Sequence, residues 1–367
     1  MKNTFGTSIA VTLFGESHGT AIGAVIDGLA PGIAIDEDYI RARLELRKPY
    51  GSISTPRQEK DEFQIVSGMF EGKTTGTPLC ILIPNTAQKS KDYEADRALA
   101  RPGHADYTAY VKYHGHEDYR GGGHFSGRIT VALVAAGAVC LLALSAKGIE
   151  IGTHIARLGG ISDKGFSSDE IGLASDIEAL NTMRFAVLDE DKSEAMQEAI
   201  KAAAADGDSV GGMLETAVTG LPAGVGEPWF DTLEGVLAQA LFSVPGIKGV
   251  QFGGGFDLVD ARGSEYNDEL RVVGGRVVSK TNNNGGINGG ISNGMPIRFS
   301  CAVKPTPSIH LKQETVDFIE GVDAEIETGG RHDPAIIHRA RAVVDSVAAL
   351  VIADQLALRY GTDWLAE

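Results

Sequence analysis

From Ile129 to Ala146 the chain runs for about 18 residues without a charged side chain, near the lower limit for a membrane span. Alanine dominates this stretch, and Thr130, Gly137 and Ser145 interrupt it. A second apolar stretch, Val343 to Leu358, carries Asp345, Asp354 and Gln355. A helix apolar on all sides must be enclosed, by lipid or by protein. The small residues of the first stretch and the carboxylates of the second point to two buried core helices, so we expect a soluble protein with no membrane association.

The rest of the chain supplies the enclosure. Ser8–Phe14, Thr20–Ile26, Phe63–Phe70, Pro78–Ile83, Gly211–Thr219, Val250–Asp257 and Pro296–Val303 read as strands. Asp36 is a good N-cap for a helix reaching about Arg47, with Pro49 behind it, and Asp189–Ala205 and Phe230–Phe242 read as further helices. A sheet has an apolar face that something must cover. The strands and helices do not alternate as in a doubly wound fold. The expectation is α+β: a β–α–β sandwich with buried apolar helices between antiparallel sheets.

Net charge is 33 minus 49, or −16, which argues against nucleic acid and anionic membranes as partners. Arg97, Arg101, Arg120 and Arg128 stand out against that acidity. Cys80, Cys140 and Cys301 lie far apart in apolar contexts, without disulfide or metal-ligand spacing, and read as buried free thiols of a reducing cytoplasm. The N-terminal residues lack the pattern of a secretory signal, which also points to the cytoplasm.

Chemistry concentrates in glycine-bracketed segments. Gly15-Glu16-Ser17-His18-Gly19 and Arg101-Pro102-Gly103-His104-Ala105-Asp106 each hold a histidine. Gly329-Gly330-Arg331-His332-Asp333-Pro334 has the same texture. Histidine moves protons near neutrality, and arginine offers a planar fork to phosphate or carboxylate. Together they suggest a site that holds an anion and transfers protons. Gly15 to Gly19 matches a serine-hydrolase elbow, but that motif needs a following helix and a strand follows here. Arg120-Gly121-Gly122-Gly123 lacks the lysine of a Walker loop; it reads either as a phosphate cradle or as a tight packing turn. His114 and His116 read as exposed loop residues, and His154, His310 and His338 have unremarkable sequence surroundings. The polar run Lys89–Tyr119 looks like an extended excursion over a site, and Asn282–Gly294 like a ligand-bordering loop.

These segments, in this order, resemble the chorismate synthase family. The resemblance runs from Asn3-Thr4-Phe5-Gly6 to the helix after Asp333. It includes Thr74-Thr75-Gly76-Thr77, Gly207-Asp208-Ser209-Val210-Gly211-Gly212, Gly285-Gly286-Ile287-Asn288-Gly289-Gly290 and Lys304-Pro305-Thr306. It covers nearly the whole chain, so a single domain spanning 1–367 is expected. It implies a lyase that converts 5-enolpyruvylshikimate 3-phosphate to chorismate and phosphate by anti elimination, in the shikimate pathway to aromatic amino acids. Reduced FMN is implied as cofactor with no net redox change, and a homotetramer as the assembly.

By the same resemblance His104 is implied as general acid toward the phosphate, His18 as proton donor or charge beside the flavin, and Asp333 as an aid to proton removal through the flavin ring. Ser17, Arg47, Arg101, Arg128 and Arg331 are implied for substrate. His124, Phe125, Ser126, Pro245, Gly246, Gly289, Lys304, Pro305, Thr306, Pro307, Ser308 and again Arg331 are implied for the flavin.

Departures from the family pattern fall on the flavin and phosphate segments. His124-Phe125-Ser126-Gly127-Arg128-Ile129 stands where Arg-Ser-Ser-Ala-Arg-Glu is common, Pro245-Gly246 replaces Asn-Ala, and an expected arginine is missing near Ile53, with Arg57 a candidate substitute. The whole chain is used by the match, which leaves no flavin-reductase domain. The implied sources of reductant are an external flavin reductase and NADPH. Two other readings compete: a flavin-dependent oxidoreductase with net electron consumption, and a non-catalytic paralogue that binds a phosphorylated ligand.

Overall fold

The computed structural model describes residues 2–55, 59–86, 97–329 and 332–366. Two five-stranded antiparallel sheets flank a helical layer. The first is ordered Thr4–Phe5, Ala10–Gly15, Ala21–Asp27, Leu79–Pro84, Gln64–Ser67. The second is ordered Ile247–Phe252, Ile297–Val303, Gly212–Thr219, Glu150–Leu158, Ile161–Ser162. The expected strands are present with shifted ends. Gln64–Ser67 and Met69–Phe70 split one of them at Gly68, and the strand expected over Val250–Asp257 is Ile247–Phe252.

Between the sheets lie Thr130–Ser145 and Ile337–Tyr360. The first packs on Ala21–Asp27 and Leu79–Pro84, the second on Glu150–Leu158 and Gly212–Thr219, and the two helices pack on each other. The β–α–β sandwich is therefore as expected. The window Gly127–Ser145 is apolar enough to cross a membrane by length and composition, yet 89% of it is buried inside the protein. The close helix crossing depends on Gly137. A Cβ there would sit 2.3 Å from Ser346 Cβ and 2.6 Å from Ser346 Cα, so only a bare backbone fits.

The second helix begins at Ile337, a turn and a half before the apolar run seen in the sequence. Its polar interruptions are anchors. Asp345 accepts from Arg43 Nη2 at 2.5 Å and from Thr153 Oγ1 at 2.6 Å, tying the outer helix Glu37–Arg47 and the second sheet to the centre. Asp354 accepts the backbone N–H groups of Thr7, Ser8 and Ile9 at 2.6–3.2 Å, so the N-terminal turn hangs on the last helix. Buried carboxylates are tolerated only when paired or hydrogen-bonded in this way.

Candidate active site

A cavity of about 1340 Å³ opens at one end of the helical layer. His18 and Gly121–Gly122 come to it from the first sheet's side, His104 from a loop, Asp333 from the segment leading into the second central helix, and Lys304–Ser308 from the second sheet. Arg47, Arg101, His124, Phe125, Ser126, Arg128, Pro245 and Gly246 also line it. Ser17 and Gly289 do not: Ser17 is buried behind His18, and Gly289 turns the tight hairpin Ile287–Asn288/Ile291–Ser292 elsewhere. Arg331 and Arg57 lie outside the described residues.

His18 is held from below. Its Nδ1 lies 3.1 Å from Ser17 Oγ, which donates toward the carbonyls of Arg120 and Gly121. Gly121, Gly122 and Gly123 all have left-handed backbones, at φ 58, 83 and 52. A Cβ on Gly121 would stand 2.2 Å from His18 Cε1. The three glycines thus form a turn whose shape lets the chain pass against a histidine ring. The segment around Ser17 runs strand to turn to strand, so the hydrolase elbow is excluded by geometry.

His104 sits within the run expected to be irregular, just before a two-turn helix, Asp106–Tyr113. Its Nε2 is 2.6 Å from Ser308 Oγ, and Lys304 Nζ donates to the Gly103 carbonyl at 2.6 Å. Burial, and then the positive charge of Arg101, push His104 down to about 4. Arg101 forks onto Asp106, with Nε and Nη2 at 2.8 and 2.7 Å from its two oxygens. Burial alone would raise the Asp106 carboxyl, but the Arg101 contacts outweigh it and hold the carboxyl below its ordinary value.

The arginines are not loose cations. Arg128 pairs with Glu59 at 2.6 Å and with Asp61. Arg47, expected at the substrate, is buried and largely engaged: Nε donates to Thr130 Oγ1 at 2.8 Å, Nη2 to the Gly127 carbonyl at 3.2 Å, and Asp61 lies 3.6 Å from Nη1. Burial, then Arg339, drive it down to about 9. It braces the turn that carries Arg128. Asp61 has a left-handed backbone at φ 54, a strained conformation for a residue with a Cβ. The Glu59–Asp61 pair lies in a charged run that reads as a solvated surface, so sequence gave no sign of it. Arg339 escaped notice because it precedes the apolar stretch, and it pairs with Asp333.

Two histidines with ordinary sequence surroundings are both buried and bonded. His154 lies between Asp163 at 2.8 Å and Glu215 at 3.0 Å, and His338 Nε2 lies 2.7 Å from Ser54 Oγ. Neither lines the cavity.

Histidines, arginines, lysines and carboxylates around one cavity describe a site for an anionic substrate that gains and loses protons. A protein-family model described as chorismate synthase matches residues 9–357. The chain belongs to the chorismate synthase family. It is a carbon–oxygen lyase of the shikimate pathway that acts on a small phosphate-bearing substrate, 5-enolpyruvylshikimate 3-phosphate, in a family that uses reduced flavin. It is 46% identical to the chorismate synthase of Pyrococcus abyssi over 354 residues, which is 96% of this chain and 97% of that one. It is 44% identical to that of Aeropyrum pernix over 360 residues, 98% and 93% of the two chains. A crystal structure of chorismate synthase superposes with a TM-score of 0.77 at 29% identity, covering 97% of this chain and 94% of the other.

The cavity suits a flavin as well as a substrate. Phe5, Leu13, Leu133, Val347 and Leu350 give it an apolar lobe for a flat ring system. Thr306 Oγ1 and Thr328 Oγ1, both on residues lining it, are buried without a hydrogen-bond partner among the described residues. Orphaned hydroxyls of this kind are what a polar ligand satisfies. Pro245-Gly246 is joined to the Lys304 segment by the Lys304 N–H on the Gly246 carbonyl at 2.9 Å. Ile53, near which the family pattern has an arginine, is a buried core residue here.

Proposed function

We propose that this cavity carries out the elimination with His104 as general acid, Asp333 as an aid to proton removal and His18 as the proton donor or charge beside a flavin. The observation that supports this most is that the three groups, from distant parts of the chain, line one cavity with Arg101, Arg128 and Lys304. In the reaction the ring C–H electrons become the new double bond, the carbon–oxygen bond breaks with its electron pair leaving on phosphate, and the ring proton is removed with the help of Asp333. The electron density that weakens the carbon–oxygen bond is the contribution of reduced FMN when bound.

The residues divide the remaining work. Arg101 and Arg128 meet the substrate's phosphate and carboxylates, with Ser17 and Arg47 acting from behind and Arg331 as a further cation. His124, Phe125, Ser126, Pro245, Gly246 and Lys304 to Ser308 hold the flavin. A phosphate dianion beside His104 reverses the bias that keeps it neutral, so it becomes an acid only when substrate is in place. We further propose that the chain acts as one unit over 1–367, as a cytoplasmic homotetramer. Reduced flavin then comes from an external reductase, with NADPH as the candidate reductant. Exposed Leu270, Val272, Val277, Phe256 and Val259 support an assembly, because such apolar surface is normally covered.

The test is anaerobic phosphate release from 5-enolpyruvylshikimate 3-phosphate with and without reduced FMN. Release that requires reduced flavin, without its stoichiometric oxidation, supports the lyase reading. Net flavin oxidation favours an oxidoreductase, and binding without release favours a non-catalytic paralogue.

A further inference from the structure

Asp333 is gripped from both sides. Its Oδ1 accepts the Thr55 backbone N–H at 2.9 Å, and its Oδ2 is paired with Arg339 Nη1. The two grips are themselves fixed. Arg339 Nε donates to the Arg47 carbonyl at 2.9 Å, which anchors the guanidinium on the end of the helix Glu37–Arg47. Thr55 follows Ser54, whose hydroxyl lies 2.7 Å from His338 Nε2, and Ile53, which is 1% exposed in the core. Arg339 and His338 are neighbours in the first turn of the second central helix. One helical turn therefore sets both the cation on one carboxylate oxygen and the loop whose N–H meets the other.

From this geometry we propose that Arg339 is a positioning residue for Asp333, and that the Ile53–Thr55 turn is its counterpart. The proposal rests on the reading of Asp333 as an aid to proton removal. A carboxylate free to rotate would spend much of its time turned away from the reacting groups. A guanidinium on one oxygen and an N–H on the other leave it a single orientation. Arg339 reaches Asp333 and Arg47 with separate nitrogens of one planar fork. A lysine can supply the charge but not both contacts.

The test uses the full-length protein with Arg339→Gln, Arg339→Lys and Asp333→Asn. The first readout needs no ligand: hydrogen exchange at the Thr55 amide. With the cation gone Asp333 loses its fixed orientation, and Thr55 exchange should quicken by at least about 10-fold in Arg339→Gln, as expected when a protecting contact is lost. The second is turnover with saturating reduced FMN. Arg339→Gln should lower kcat by about 100-fold, the scale of a small misplacement of a reacting group, with KM for substrate within about 3-fold of the parent. Arg339→Lys should recover at least about 10-fold of that loss. Unchanged Thr55 protection together with near-parental kcat in Arg339→Gln would overturn the proposal. So would an Arg339→Lys variant no better than Arg339→Gln, since orientation by charge would then play no part. Asp333→Asn separates the two ideas. If it turns over normally, the role of Asp333 in proton removal fails, while the Thr55 exchange result still reads the positioning by itself.

Discussion

His104 Nε2 and Ser308 Oγ, 204 residues apart in sequence, lie 2.6 Å from each other across the cavity wall. This contact joins the segment that carries the proposed acid to the segment proposed for the flavin. With burial and Arg101 holding His104 at about 4, the imidazole is neutral at pH 7 in this environment.

Substrate binding should therefore be accompanied by proton uptake. Calorimetry in buffers of different ionisation enthalpy reads this directly: up to about one proton should be taken up per site near pH 7, and His104→Ala should abolish it. The same variant should release phosphate at least about 100-fold more slowly while still binding substrate. Equal binding enthalpy in all buffers would remove the acid role from His104.

Two buried histidines give the stability a pH dependence of opposite sign. Burial, with Arg339 and Arg184 nearby, pushes His338 down to about 3. Between about 6.5 and about 3 the unfolded chain binds more protons at this site than the folded one, so stability falls as the pH falls through that window. Burial would lower His154 too, but Asp163 and Glu215 outweigh it and the imidazole titrates above its ordinary value. Its contribution is complete below about 6.5 and is lost as pH rises through the raised folded value. Melting curves against pH should show His154→Gln losing most relative stability on the acid side of neutrality. His338→Asn should flatten the decline below about pH 6. Curves parallel to the parent's at every pH would contradict both assignments.

Gly137→Ala should destabilise the protein by about 1–3 kcal/mol, because the added methyl meets the Ser346 backbone rather than a movable side-chain end. Urea unfolding measures this as a lower midpoint with an unchanged slope. A midpoint equal to the parent's would mean that the central helices part easily, against the close crossing described above.

On fractionation in the absence of detergent the protein should stay with the soluble material, since 89% of its most apolar helical window is already enclosed by protein. Recovery of the intact chain in washed membranes would show that this helix can be exposed to lipid.

The layer order was readable from sequence because two helices without a polar face leave few ways to be enclosed, and strand-like runs occur along most of the chain around them. Asp36 capped its helix as expected, accepting the N–H groups of Asp38 and Tyr39. Local pattern could not show which polar groups meet. Arg47 looked like a cation awaiting an anion, and it is braced against a turn 80 residues away. His154 and His338 have bland neighbours in sequence and charged or hydroxylic ones in space. The Glu59–Asp61 pair reads as surface because charge patterns report solvent only when nothing folds over them. Segment-level placement of the cavity was legible, whereas the pairing of each guanidinium with its carboxylate depends on long-range packing.

The carboxylate of Asp354 and the three N–H groups it holds are separated by about 345 residues of chain. During synthesis the N-terminal turn leaves the ribosome long before its acceptor exists. The first strands can pair among themselves, but the bend that leads into them stays unclamped until the final helix has emerged. A chain cut short before residue 354 would contain every cavity residue named above and still lack this clasp. Docking of this last central helix is thus registered in the turn before the first sheet, which makes that turn a natural reporter of when the helix has packed.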